Sequence, residues 1–239
     1  MIMKKSILLT TISVCAPLLI GTSSAFADDS NNLTTSSTPI TANFTASKDT
    51  TNPTPPSPIP NPTPDTPNPG NKPLNPQGNF ALAYIPYSMN FGDIELNNSN
   101  AGLAIDKVAT VAQGTTFNVG VKDTRHTTAG WHLNASLTGS LADSGASIKT
   151  STSSSNVKKL SKDSQLVPLD NSNMITVTDN AEIGKTESTI MVGNAGNVFA
   201  GTYDLNLGEV SLHIPNTATV AAGNASGNII WTLADTPNA

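Results

Sequence analysis

Apolar and polar residues alternate along the C-terminal two thirds of the chain. The runs are Phe117, Val119 and Val121; Trp131, Leu133, Ala135 and Leu137; Ile175 and Val177; Tyr203, Leu205 and Leu207; Leu212 and Ile214; Ile229, Trp231 and Leu233. A period of two puts every second side chain on one face of an extended chain, so each run predicts a half-buried strand. Turn signals separate the runs: Ala129-Gly130, Thr138-Gly139-Ser140, Gly193-Asn194-Ala195-Gly196 and Gly223-Asn224. No window of a dozen residues carries a 3.6-residue period. The pattern predicts an all-β fold, an antiparallel β-sandwich or a barrel-like relative, with the polar stretch 151–162 as a long loop.

Ahead of this domain the pattern changes twice. Residues 1–27 follow the plan of an export signal, with Lys4 and Lys5, an apolar run from Ile7 to Ile20, and the small-x-small site Ala25-Phe26-Ala27. The run is too short and too polar, with Thr10, Thr11, Ser13 and Pro17, to be read as a retained membrane span. Residues 28–51 are rich in Ser and Thr, with Leu33, Ile40 and Phe44 as the sizeable apolar groups, a composition that predicts disorder. Eleven prolines then fall between Asn52 and Pro76. Such a stretch favours an extended polyproline II spacer of up to about 80 Å. The expected division is a signal at 1–27, a disordered segment and proline-rich linker at 28–77, and a β domain at 78–239, about 160 residues and one core.

Composition narrows the function. Charged residues make up 12% of the chain and aromatics 5%, which is unlike a cytoplasmic helical enzyme. Loss of Lys4 and Lys5 with the signal leaves ten of the twelve Lys and Arg against seventeen Asp and Glu, a net charge of −7. Bulk charge therefore does not draw this chain to nucleic acid or to anionic lipid. The single cysteine, Cys15, lies inside the signal, so the mature chain has no thiol for a disulfide or a thiolate metal site. His126, His132 and His213 show no metal-ligand spacing, and a triad of His126, Asp123 and one of many serines is uninformative. Asp170-Asn171-Ser172-Asn173 resembles half a calcium loop but lacks its glycine and spaced acids, and reads as a surface turn. Neither an enzyme nor a cofactor or metal protein is expected. No sorting tail of apolar and basic residues is seen near Asp235, so attachment to a cell is expected to be non-covalent.

With aromatics so scarce, the two tryptophans stand out. Trp131 lies in Gly130-Trp131-His132-Leu133 and Trp231 in Ile230-Trp231-Thr232-Leu233. On a strand, residues two apart share a face, so each Trp-x-Leu makes one patch of indole and isobutyl groups. Two readings are open for each: a core residue packed between sheets, or an exposed platform on which a sugar ring stacks. Asp123 and Arg125, two apart on the strand leading to the first motif, form a candidate bidentate pair that shapes the turn.

These motifs carry a family resemblance. Phe91-Gly92, Val121-x-Asp123-x-Arg125, Gly130-Trp131-His132-Leu133-Asn134-Ala135 and Ile230-Trp231-Thr232-Leu233-Ala234-Asp235 with Pro237 together resemble the WxL-domain surface proteins of low-GC Gram-positive bacteria, over roughly residues 80–239. The resemblance implies a secreted, cell-wall-associated, non-enzymatic module that attaches non-covalently, with peptidoglycan as ligand and Trp131, Leu133, Trp231 and Leu233 as contacts. It also implies partners: a membrane-anchored WxL-interacting protein and other surface proteins of one complex, with no nucleic acid and no membrane insertion by the module itself. Such complexes are associated with adhesion or with the use of complex carbohydrates. Members often place a tyrosine shortly before the second motif, whereas Gly223-Asn224-Ala225-Ser226-Gly227 has none. Two alternatives remain at this point, a module docking onto an anchored protein partner and an adhesin for host or plant polysaccharide.

Overall fold

The computed structural model describes residues 70–235, apart from 75, 77, 97–101, 162 and 164. The predicted signal, the Ser/Thr-rich segment and the proline-rich stretch as far as residue 69 lie outside the described residues. Fourteen strands are described: β1 (Asn71–Pro73), β2 (Phe80–Pro86), β3 (Ile105–Val108), β4 (Asn118–Asp123), β5 (Trp131–Gly139), β6 (Ser147–Thr150), β7 (Val157–Leu160), β8 (Leu166–Val167), β9 (Ile175–Val177), β10 (Glu182–Ile183), β11 (Ser188–Gly193), β12 (Gly201–Asn206), β13 (Val210–Ile214) and β14 (Gly227–Ala234). One short helix, α1 (Ser140–Asp143), follows β5. The strands build a six-stranded sheet in the order β1-β2-β4-β12-β7-β8 and two four-stranded sheets, β10-β6-β13-β3 and β14-β5-β11-β9. Every pairing is antiparallel, as the alternation predicts for a sandwich.

One apolar core is shared by the three sheets. Val119 and Val121 of β4 and Tyr203 and Leu205 of β12 meet Trp131, Leu133, Ala135 and Leu137 of β5 and Ile148, Val210, Leu212 and Ile214 of β6 and β13. Each fully buried aliphatic side chain contributes about 1.5–3 kcal/mol. No disulfide assists, so these strands are held by burial and by their hydrogen-bond ladders.

The sheet departs from the sequence pattern in two places. The stretch 151–162 is not one long loop: Ser154–Asn156 makes a 3₁₀ turn, and Val157–Leu160 then pairs with β12 as an interior strand of the six-stranded sheet. Its order Val-Lys-Lys-Leu buries both ends and breaks the period-two signal. The sheet also begins before residue 78. β1 pairs with β2, and the buried Asn71 donates from Nδ2 to the carbonyl of Thr116 at 2.9 Å while its Oδ1 accepts the Asn118 N–H at 2.7 Å.

Asn71 opens a buried polar network on the second face of the six-stranded sheet. The ring of Tyr84 lies over Gly120, where a Cβ would sit 2.4 Å from it, so only glycine lets the ring pass. The phenol thereby donates to Asp204 Oδ1 at 2.7 Å, and Asn118 Nδ2 donates to both carboxylate oxygens at 3.1 and 2.8 Å. Lys158 stands opposite Asp204 on β7, and Lys122 lies buried on β4. Burial lifts the Asp204 carboxyl to about 6, against the opposing pull of the Tyr84 and Asn118 hydrogen bonds. Burial, and then the nearby carboxylate, raise the Tyr84 phenol well above its ordinary value.

Because the folded value of Asp204 is raised, its contribution to stability is complete below the unfolded value near 3.8 and is lost as pH rises through about 6. That span corresponds to about 3 kcal/mol. Compared by thermal unfolding between acid and neutral pH, the wild type should lose stability relative to Asp204→Asn across this window. Parallel profiles for the two proteins would place the proton elsewhere.

Candidate functional site

The two Trp-x-Leu motifs are the two arms of one antiparallel pair. β14 runs beside β5 in a register that sets Leu233 opposite Leu133 and Trp231 opposite Ala135. Residues directly opposite share a face, so both indoles and both leucines point toward the core, the leucines between the tryptophans. Their exposure differs because β14 is an edge strand and β5 an interior one. Trp131 and Leu133 have no accessible surface, whereas Trp231 and Leu233 are half-buried. As folded, Trp131 and Leu133 are core residues that no ligand reaches; the second motif keeps surface.

Trp131 organises its surroundings through shape. Its indole lies across Gly193, the residue it pairs with on β11, where a Cβ would fall 2.4 Å from the ring. It also meets Tyr203 of the six-stranded sheet, with centroids 5.9 Å apart and the rings tilted by 44°. Among the described residues the Trp131 Nε1 has no hydrogen-bond partner, a cost of roughly 1–3 kcal/mol. The residue is therefore held for its packing.

Two loops run side by side over this end of the domain. Residues 124–130 leave β4 and enter β5 at Trp131; residues 194–200 leave β11 at Gly193 and enter β12 at Gly201. Each crosses between the same pair of sheets, and the Gly196 N–H donates to the Thr128 carbonyl at 2.8 Å. Asp123 and Arg125 pair as their spacing suggested: Arg125 Nε donates to Asp123 Oδ1 at 2.9 Å and Nη2 to Oδ2 at 3.0 Å, the fork geometry of a bidentate pair. Asp123 is 1% exposed. The guanidinium also stacks 3.8 Å from the Phe80 ring centroid, and its Nη2 reaches the Gly130 carbonyl at 3.5 Å. The Asp123 bond, opposed by burial and helped by the charges of Asp123 and Asp235, raises the Arg125 pKa. Asp235, at the end of the second motif, thus acts on the loop that precedes the first.

The residues weighed for a triad or a metal site have other partners. Both Asp123 oxygens are taken by Arg125, so the carboxylate is not free to orient His126. His213 faces Asp106 at 2.8 Å and Lys149 at 3.0 Å on the outer face of the β13 sheet. The Asp170 carboxylate accepts from Lys159 Nζ at 2.7 Å, and Asn171 Oδ1 accepts the Asn173 N–H, which makes the candidate calcium stretch a capped surface turn. Among the described residues no three His, Cys, Asp or Glu side chains gather as a metal site, and no helix is long and apolar enough to cross a membrane. Sequence reasoning passed over Tyr203 as anything but a strand residue and over Phe199 altogether; a lone aromatic between two glycine turns was the available signal.

Two substitutions test this construction. Gly193→Ala drives a methyl group into the Trp131 indole and should lower stability by about 1–3 kcal/mol, measured by denaturant unfolding. Arg125→Lys keeps the charge but loses the fork and the stack on Phe80, so the melting temperature should fall before wall binding does. The reverse order would move Arg125 into the contact surface.

No curated protein and no solved structure matches the chain. The family model described as "WxL domain surface cell wall-binding" matches residues 31–237, which takes in the proline-rich stretch as well as the β domain. With both motifs paired in one sheet and a match over most of its length, the chain belongs to the WxL domain surface cell wall-binding family and is a surface attachment module.

Proposed function

We propose that this protein is exported and holds to the Gram-positive wall by binding peptidoglycan directly and non-covalently, as a subunit of a multi-protein surface complex. The family match over residues 31–237 carries this reading. Within the fold, the half-exposed Trp231 and Leu233 are the motif residues able to touch a glycan; Trp131 and Leu133 lie beside them on β5, and Asp123 with Arg125 sets the adjoining loop. An indole offers a flat apolar face to a sugar ring and an N–H to a hydroxyl.

Charge dictates the kind of contact. A Gram-positive wall is rich in anionic teichoic acid, and a chain of net charge −7 after loss of the signal is repelled by it. Short-range stacking and hydrogen bonds must therefore supply retention, and salt should matter little.

One observation favours a protein partner as well. β14 is eight residues long, carries no charged side chain from Gly227 to Ala234, and exposes Ile230. The other strands at sheet edges, β1, β3, β8, β9 and β10, have two to four residues. Short or charged edges resist adventitious pairing; a long neutral one accepts an added strand. A membrane-anchored WxL-interacting protein or another subunit of the complex would dock there.

The test is co-sedimentation of the mature chain, residues 28–239, with sacculi stripped of protein and teichoic acid. Wild type should pellet equally at about 0.1 and about 0.5 M salt, and Trp231→Ala, once shown to be folded, should pellet less. Wild type left in the supernatant would reject direct peptidoglycan binding and give attachment to a partner at the β14 edge. A steep loss with salt would reject the short-range mechanism.

A further inference from the structure

Phe199 is an exposed aromatic that neither motif contains. It sits in the loop 194–200 with 48% of its surface open, and the exposed ring of His126, in the neighbouring loop, meets it edge-on at 5.5 Å between centroids and 83° between planes. Exposed phenylalanine in a mobile loop would be unremarkable. This one is fixed. The Tyr203 hydroxyl donates to the Phe199 carbonyl at 2.5 Å and accepts its N–H at 3.4 Å. Val198 beside it is fully buried, and its N–H bonds the Asn194 carbonyl at 2.8 Å.

His126 is fixed in a different way. Its φ is 57°, in the left-handed region that non-glycine residues occupy at a cost. The loop around it is anchored by the Arg125 fork at one end and by the Gly196–Thr128 hydrogen bond at the other. The two rings therefore stand as a preformed pair, backed by Tyr203, which in turn rests on Trp131. A preformed aromatic surface loses little conformational freedom when a ligand stacks on it.

We infer that Phe199 and His126 form a sugar-contact platform: the Phe199 ring stacks on the C–H face of a pyranose in a neutral N-acetylated glycan, and a His126 ring nitrogen hydrogen-bonds a hydroxyl or acetamido group. Exposed Thr127, Thr128 and Asn197 border the pair with further hydrogen-bonding groups. The nearby cations Arg125 and Lys159 are engaged with Asp123 and Asp170, which suits a neutral ligand better than an anionic one. On this inference the first Trp-x-Leu motif acts indirectly, by holding Tyr203, and the contact is made by residues the motif positions. The inference rests on the reading that the domain binds wall glycan.

The experiment measures binding of the mature chain to stripped sacculi for wild type, Phe199→Ala, Phe199→Leu and Phe199→Trp, with melting temperatures measured alongside. Both Phe199→Ala and Phe199→Leu should bind about tenfold more weakly, and Phe199→Trp should bind at least as well as wild type, because stacking needs a ring and not merely apolar bulk. If wild type binds and Phe199→Ala binds equally, the platform is rejected while glycan binding stands. If Phe199→Trp fails along with the other two, aromatic stacking is rejected. If wild type does not bind, glycan binding falls, and the platform with it.

Discussion

The antiparallel pairing of β5 with β14 is the constraint on which the rest of this end of the molecule depends. It joins residues a hundred positions apart, Leu133 and Leu233, in direct register. That register turns both tryptophans inward and brings Asp235 toward the Arg125 loop. Slipping it by one residue would turn Ile229, Trp231 and Leu233 to the outer face and set Leu133 opposite Thr232 or Ala234 instead of Leu233. The family's two short motifs are thus a single structural statement made in two places along the chain.

Trp131 then joins layers that backbone hydrogen bonds cannot join. It starts β5, covers Gly193 of β11, and touches Tyr203 across the core, so two loops and two sheets converge on one side chain. Its N–H, without a partner among the described residues, shows what is conceded for that position. Conceding a hydrogen bond to gain a wide rigid contact makes sense where loops must stay in place without disulfides.

Much of this was legible in the sequence. Each alternating run noted at the outset lies on a strand or continues one, because those strands expose one face and bury the other. β7 was not legible, since an interior strand reading Val-Lys-Lys-Leu buries its two ends and carries its lysines between them. β1 was masked by proline-rich composition, yet Asn71 enters the sheet through side-chain hydrogen bonds that periodicity does not register. The Asp123–Arg125 fork was foreseeable from spacing alone. Which tryptophan is fully buried was not, because both motifs read alike and only the place of β14 at the edge of its sheet distinguishes them. Phe199 lies outside any periodic run, and its rigidity comes from Tyr203, a contact that exists only after folding.

The order of β5 and β14 along the chain also governs when the protein can fold. β5 is emitted early, pairs first with a strand 53 to 62 residues downstream, and finds its second neighbour only when residues 227–234 arrive. Contacts of such long range form slowly, because the loop must close before any burial offsets its entropy. For the export proposed above, that delay would be useful. In the export proposed for this chain, the sheet would not close around Trp131 until nearly the whole domain had crossed, so the topology that fixes the surface would also keep the polypeptide translocation-competent.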